Sequence, residues 1–280
     1  MEIENFCAGD SILYKKPIGI FDSGVGGLTV FKEIRKRFPF EDIIYFGDTA
    51  RVPYGSKSRK TVIEYSIQNA RFLIQQGAKI IVVACNTSSA TALTQLQKLL
   101  PVPVLGVIEP GALSAVKTSS NKRIGVIGTE GTIRSQAYSS AISKLDKDCD
   151  VFSKACPLFV PLAEEGWESH EVTQLTIKEY LTSFLKHGID TLVLGCTHYP
   201  ILKTSIQKFV GNKITLVDSS EAVTDKLNEI LPNRENKVTG QDWFYVSDNE
   251  EKFNLIASKI LNMKIDKLIK VKLGEGWFLN

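Results

Sequence analysis

IGIFDSGVGGLTVFKEIRKRF, residues 18–38, decides the fold. Ile18 to Phe21 form a short apolar run of strand length, DSGVGG is a glycine-rich turn, and Leu28, Phe31, Ile34 and Phe38 recur at the spacing of one helix face. Strand, turn and helix in that order open a parallel sheet. A second copy begins at IGVIGTEGTIRSQAY, residues 124–138, where Ile124 to Ile127 are the expected strand and GTEGT the expected turn before another helix.

The correspondence continues downstream in both halves. TVIEYSIQNARFLIQQG, residues 61–77, is a helical pattern stopped by Gly77, since glycine accepts the left-handed conformation that ends helices. AKIIVVA then runs as a buried strand into Cys85. VTQLTIKEYLTSFLKHG, residues 172–188, stops at Gly188, and IDTLVLG leads into Cys196. Each cysteine stands eight positions after its glycine (85−77 and 196−188), and the offsets Asp22 to Thr129 (107) and Cys85 to Cys196 (111) nearly agree. The chain reads as an internal duplication.

Fully apolar strands alternating with helices predict an α/β protein of two similar doubly wound parallel-sheet domains. In such sheets ligands bind beyond the carboxyl ends of the strands, where both cysteines fall. TLVDSS and FYVSD read as further strands, EAVTDKLNEIL and DNEEKFNLIASKILN as helices, with the tail returning to the first domain. The expected division is 17–109 plus 218–280 for the first domain and 110–217 for the second, preceded by an extension over 1–16.

The 280 residues, 43% hydrophobic and 23% charged, have the make-up of a soluble globular protein. Lys and Arg exceed Asp and Glu by only 34 to 31 and are spread along the chain, which argues against nucleic acid or an anionic membrane as the main partner. No run is long and apolar enough for a signal peptide or a membrane span. Five cysteines, two of them closing apolar strands, suit reduced thiols in the cytoplasm better than a disulfide framework.

Two thiols related by duplication and facing one cleft suit a nearly symmetrical reaction. A racemase removes a proton from one face of a carbon and returns one to the other, which needs two groups of matched strength. A thiol, with a pKa near about 8.5, can be held in either state by its surroundings. A lone cysteine after a strand is ordinarily a buried structural residue, and it is the pair in register that favours chemistry. Cys7, Cys149 and Cys156 have no such partner and read as structural or incidental.

Asp22 and Ser23 occupy the first turn, where capping of helix N–H groups competes with a binding role. Gly24, Gly26 and Gly27 lack both the G-x-G-x-x-G spacing and the Lys-Ser/Thr of a P-loop, so nucleotide binding is not expected. Such a turn still offers backbone donors to a carboxylate. His198, two positions after Cys196, is either a proton partner or a satisfied hydrogen-bonder. With no HExxH, no CxxC and no lysine at a repeat-related strand end, neither a metal nor pyridoxal phosphate is expected.

FDSGVGGLTV, YFGDTARVPYGSKS, VVACNTSSA, GVIEPGA, GVIGTEGTIRS and LVLGCTHYPIL occur in this order. Over most of the chain, from about Ile18 to past Asp218, the sequence resembles the glutamate racemases of the aspartate/glutamate racemase superfamily. The resemblance implies two α/β domains with the site between them and a cofactor-independent interconversion of L- and D-glutamate that supplies peptidoglycan synthesis. It implies that Cys85 takes the α-proton of D-glutamate and Cys196 that of L-glutamate, assisted by Asp22 and His198 respectively. Asp48 and Glu164 match acids near the site. Substrate contacts carry over to Asp22, Ser23, Tyr54, Gly55, Asn86, Thr87, Thr129, Thr132, Thr197 and His198. A homodimer is also implied. Two alternatives stand beside this one: a racemase of another acidic amino acid such as aspartate, and a protein that binds an acidic metabolite or a partner without chemistry.

Overall fold

The computed structural model describes residues 16–231, 238–265 and 267–274. Cys7 and most of the expected N-terminal extension lie outside them. β1 (Ile18–Asp22) is wholly buried, and α1 (Leu28–Arg37) turns Leu28, Phe31 and Ile34 onto it while Arg35, Lys36 and Arg37 gather at its negative C-terminal end. β2 (Ile43–Gly47), α2 (Arg59–Gln75), β3 (Ile80–Val83), α3 (Asn86–Leu99) and β4 (Val104–Gly106) complete the first run. Ser58 caps α2 by accepting the Thr61 amide, and Gly77, at φ +86°, ends it.

α4 (Ile108–Thr118) leads into β5 (Arg123–Gly128), α5 (Glu130–Arg134), α6 (Ala137–Leu145), β6 (Asp150–Ala155), α7 (Phe159–Glu164), α8 (Glu171–Leu185) and β7 (Thr191–Gly195). Gly188, at φ +65°, follows α8 as Gly77 follows α2. A 3₁₀ turn (Tyr199–Leu202), α9 (Lys203–Val210), β8 (Thr215–Asp218), α10 (Ser219–Ile230), β9 (Asp242–Val246), α11 (Glu250–Leu261) and β10 (Leu268–Lys270) follow.

All strand pairings are parallel and make two sheets, ordered β10-β9-β2-β1-β3-β4 and β6-β5-β7-β8. The duplication is visible in those orders, because β2-β1-β3-β4 and β6-β5-β7-β8 are the same topology. β9 adds to the free edge of β2, with Ile43 opposite Asp242, and β10 adds to β9. Helices cover both faces of each sheet, as doubly wound sheets require. On the larger sheet α1, α10 and α11 bury Ile20, Phe31, Val223 and Phe253 on one side, and α2 and α3 bury Phe21, Leu73 and Leu96 on the other. The smaller sheet packs α8 and α9 on one face and α4 and α6 on the other.

The expected turn at GTEGT is a helix. Glu130, Gly131 and Thr132 already belong to α5, because Thr129 accepts the Thr132 amide and caps the chain directly after β5. In the first half Asp22 instead accepts the Gly24 amide, and helix begins only at Leu28. The two units share topology and differ in this connection.

Phe31 carries the tail strand into the core, since its ring meets Phe244 at 5.0 Å and Tyr45 at 6.2 Å. Replacement Phe31→Ala is expected to cost about 3–5 kcal/mol of stability through the cavity it leaves, measured by urea unfolding.

Candidate active site

In each sheet the strand order reverses at the first strand of the unit, and the crevice there opens beyond the carboxyl ends. The two crevices face each other. Cys85 follows β3 and is the N-cap residue of α3, and Cys196 follows β7, so both thiols reach one cavity of about 30 Å³, room for little more than a water molecule. Ser23, Tyr54, Gly55, Asn86, Thr87, Thr129, Glu164, Thr197 and His198 line it with them. A larger cavity of about 400 Å³ opens behind Glu164, lined by Thr29, Lys203 and Lys259. It touches neither cysteine, and the smaller one is the candidate because both thiols face it.

The thiols have different neighbours. Cys85 Sγ lies 3.7 Å from Ser23 Oγ. Burial, reinforced by the Asp22 charge, pushes the Cys85 thiol up to about 11, while Ser88 and Ser23 pull it back. Asp22 sits beneath, fully buried, accepting the Gly24 amide at 2.9 Å and the Thr197 hydroxyl at 3.3 Å. Burial raises its carboxyl above the usual range, although the positive His198 opposes this.

Cys196 Sγ lies 3.9 Å from His198 Nδ1, and His198 Nε2 lies 3.2 Å from Glu164 Oε1. Burial works against an imidazolium there, but the bonds to Cys196 and Glu164 prevail and raise His198 to about 10. Burial likewise opposes charge on Glu164, yet His198 and Lys252, whose ammonium is 3.4 Å away, hold it below the usual carboxylate range. A cation thus stands beside one thiol and an anion beside the other. Gly26 admits the imidazole, for a Cβ there would sit 2.5 Å from His198 Nδ1.

Several contacts join the halves around the thiols. Thr87 Oγ1 meets Thr129 Oγ1 at 2.9 Å and Thr132 Oγ1 at 3.2 Å, the Gly131 amide donates to the Gly55 carbonyl at 2.8 Å, and Tyr138 donates to Asn86 Oδ1 at 2.8 Å. Of the sequence candidates, Asp22 and Thr132 stand behind the cavity wall. Asp48 is farther removed. Its carboxylate takes Arg51 Nε at 2.7 Å, Ser247 Oγ at 2.8 Å and the Tyr54 hydroxyl, so it anchors the Tyr54 segment and touches neither thiol. Burial, with Asp48 beside it, keeps that hydroxyl protonated.

Cys149 is half-buried on the smaller sheet's flank and Cys156 is in its core, and among the described residues all four cysteines are free thiols. No cluster of His, Cys, Asp or Glu among them could hold a metal, and no helix among them is long and apolar enough to cross a membrane. Sequence reasoning missed Val52, Pro53 and Val160 in the cavity wall and Lys252 behind Glu164. The first two adjoin Tyr54 in a quoted motif. Val160 and Lys252 carry no local signal.

Residues 25–227 match the family described as Asp/Glu/Hydantoin racemase. The chain is 52% identical over 262 residues to a glutamate racemase of Geobacter metallireducens, covering 92% of this chain and 97% of that protein. Among solved structures, it superposes on a glutamate racemase isoform from Bacillus anthracis with a TM-score of 0.89 at 39% identity, covering 93% and 98% of the two chains. The glutamate racemase from Francisella tularensis in complex with D-glutamate gives 0.84 at 41% identity, covering 92% and 98%.

Two outcomes test the His198 arrangement. A raised histidine contributes stability that is complete below its ordinary pH of 6.5 and lost as pH rises through about 10. The melting-temperature advantage of the unaltered protein over His198→Gln should accordingly narrow across that interval in thermal unfolding at constant ionic strength. Gly26→Ala should displace the imidazole from Cys196 and lower kcat by about 10²-fold in a steady-state assay, the loss typical of an ångström-scale misplacement.

Proposed function

Since the chain belongs to the Asp/Glu/Hydantoin racemase family, among its glutamate racemases, and is an amino-acid racemase, we propose that Cys85 and Cys196 interconvert L- and D-glutamate as a two-base pair. One observation carries the reading. The thiols follow equivalent strands of two copies of one fold and line a single cavity, each with its own ionisable partner.

In this scheme Cys85, as thiolate, takes the α-proton of D-glutamate. The C–H bond pair stays on the α-carbon, delocalised toward the carboxylate, and the Cys196 thiol delivers its proton to the opposite face. L-Glutamate leaves with Cys85 as thiol and Cys196 as thiolate, and the reverse reaction restores the first state. His198, carrying positive charge 3.9 Å from Cys196, stabilises the sulfur as it loses its proton, and Glu164 holds the imidazolium. Asp22 would act through Cys85, on which its charge bears. Its complete burial over the Thr197 hydroxyl makes it a link between the two bases.

The carbanionic intermediate needs donors aimed at its carboxylate more than it needs a stronger base. Ser23, Asn86, Thr87, Thr129 and Thr197 supply hydroxyl and amide donors around the thiols, and the start of α3 supplies a positive dipole end. Tyr54 and Gly55 complete the lining. Water exclusion strengthens each of these interactions and protects the carbanion from adventitious protons. D-Glutamate made in the cytoplasm in this way serves peptidoglycan synthesis.

Proton NMR of L- and D-glutamate in deuterated water tests the scheme. Without added cofactor, both α-protons should wash out, and Cys85→Ser or Cys196→Ser should each reduce racemisation by several orders of magnitude with the fold preserved by circular dichroism. Full turnover by either variant, or faster turnover of aspartate than of glutamate, would overturn the assignment.

A further inference from the structure

The Ser88 hydroxyl is the one side-chain oxygen or nitrogen, among the described residues, that is buried with no hydrogen-bond partner. Ser88 is completely inaccessible to bulk solvent. Its neighbours show what an ordinary serine does here. Ser89 Oγ donates to the Val83 carbonyl at 2.8 Å and accepts the Val107 amide at 3.2 Å, and Ser23 Oγ lies within reach of the Cys85 sulfur.

Ser88 is the third residue of α3 and Cys85 is that helix's N-cap. At this spacing the side chain of a cap residue faces the backbone N–H three positions on, which is how Ser58 and Thr129 cap their helices. Cys85 makes no such cap bond. Both the amide and the hydroxyl of Ser88 nevertheless act on the Cys85 sulfur in the direction that favours its ionised form. A neutral thiol is a weak acceptor and a thiolate a strong one, and charge-assisted bonds are about twice as strong as neutral ones.

We infer that Ser88 is a dedicated stabiliser of the Cys85 thiolate, its hydroxyl left unpaired in the thiol state and engaged only when Cys85 gives up its proton. The inference rests on Cys85 being one of the two bases. No bond other than S–H is made or broken. The proton leaves the sulfur for the α-carbon or returns from it, and the Ser88 O–H turns its hydrogen toward the negative sulfur or away. A donor satisfied only in the charged state lowers the barrier to every step that leaves Cys85 ionised. It is also costly at rest, since an unpaired buried hydroxyl weakens the folded state.

Ser88→Ala tests the inference, with the unaltered enzyme and Cys85→Ser as references. The variant should lose about ten- to hundredfold in kcat/KM, equally for L- and D-glutamate because the two ratios are tied by an equilibrium constant of one. The ascending limb of its kcat/KM–pH profile should move to higher pH by about one unit. Its melting temperature should be unchanged or higher, because an unpaired hydroxyl is removed. A lowered melting temperature with an unmoved pH profile would mark Ser88 as a packing residue and overturn the inference, as would unaltered kinetics. Turnover surviving Cys85→Ser would instead remove the two-base reading itself.

Discussion

Ionisable groups buried around a small cavity impose the condition that organises this molecule. Asp22, Cys85, Cys196 and His198 are all buried around a space of about 30 Å³, and a charge on any of them must be met by fixed dipoles or by another charge. The fold supplies these. Strand ends point amides and side chains into the crevice, α3 begins at Cys85, and α7 and α11 bring Glu164 and Lys252 behind His198. Each thiol is thereby set beside its own fixed polar or charged partners.

The C-terminal segment belongs to the same scheme. β9 is tied to the first unit through the Arg35–Asp242 ion pair and the Phe31–Phe244 contact, and α11 starts from Asn249, which caps it, so that Lys252 reaches Glu164. Ser247, just after β9, donates to Asp48, which holds Tyr54 in the cavity wall. A stretch with no catalytic motif of its own thereby positions residues on two sides of the site.

Elements whose signal is local were legible in the sequence. The helix stops at Gly77 and Gly188, the apolar strands into Cys85 and Cys196, and the helix face of Leu28, Phe31 and Ile34 each depend on residues within one turn or one strand. The α5 helix was hidden because Thr129 caps it at once, whereas a glycine-rich string suggests a turn. The partners of Asp48, the addition of β9 to β2 and the reach of Lys252 to Glu164 were hidden for another reason. They pair residues far apart in the chain, and nothing in the local pattern of either partner records the other. Ser88 lay inside a quoted motif, but only burial distinguishes it from Ser89.

The near-identical topologies of the two units have a consequence that a symmetric assembly would not share. Two copies of a single-cysteine protein meeting across a two-fold axis would present the same surroundings to both sulfurs, since an isologous contact repeats every residue on each side. Fusing the copies into one polypeptide frees each wall to change alone. Here one sulfur faces a carboxylate and serine hydroxyls, and the other an imidazole braced by a glutamate. The two walls of an otherwise mirror-like site are thus electrostatically unlike, while the overall equilibrium, which belongs to the ligand and not to the protein, stays even.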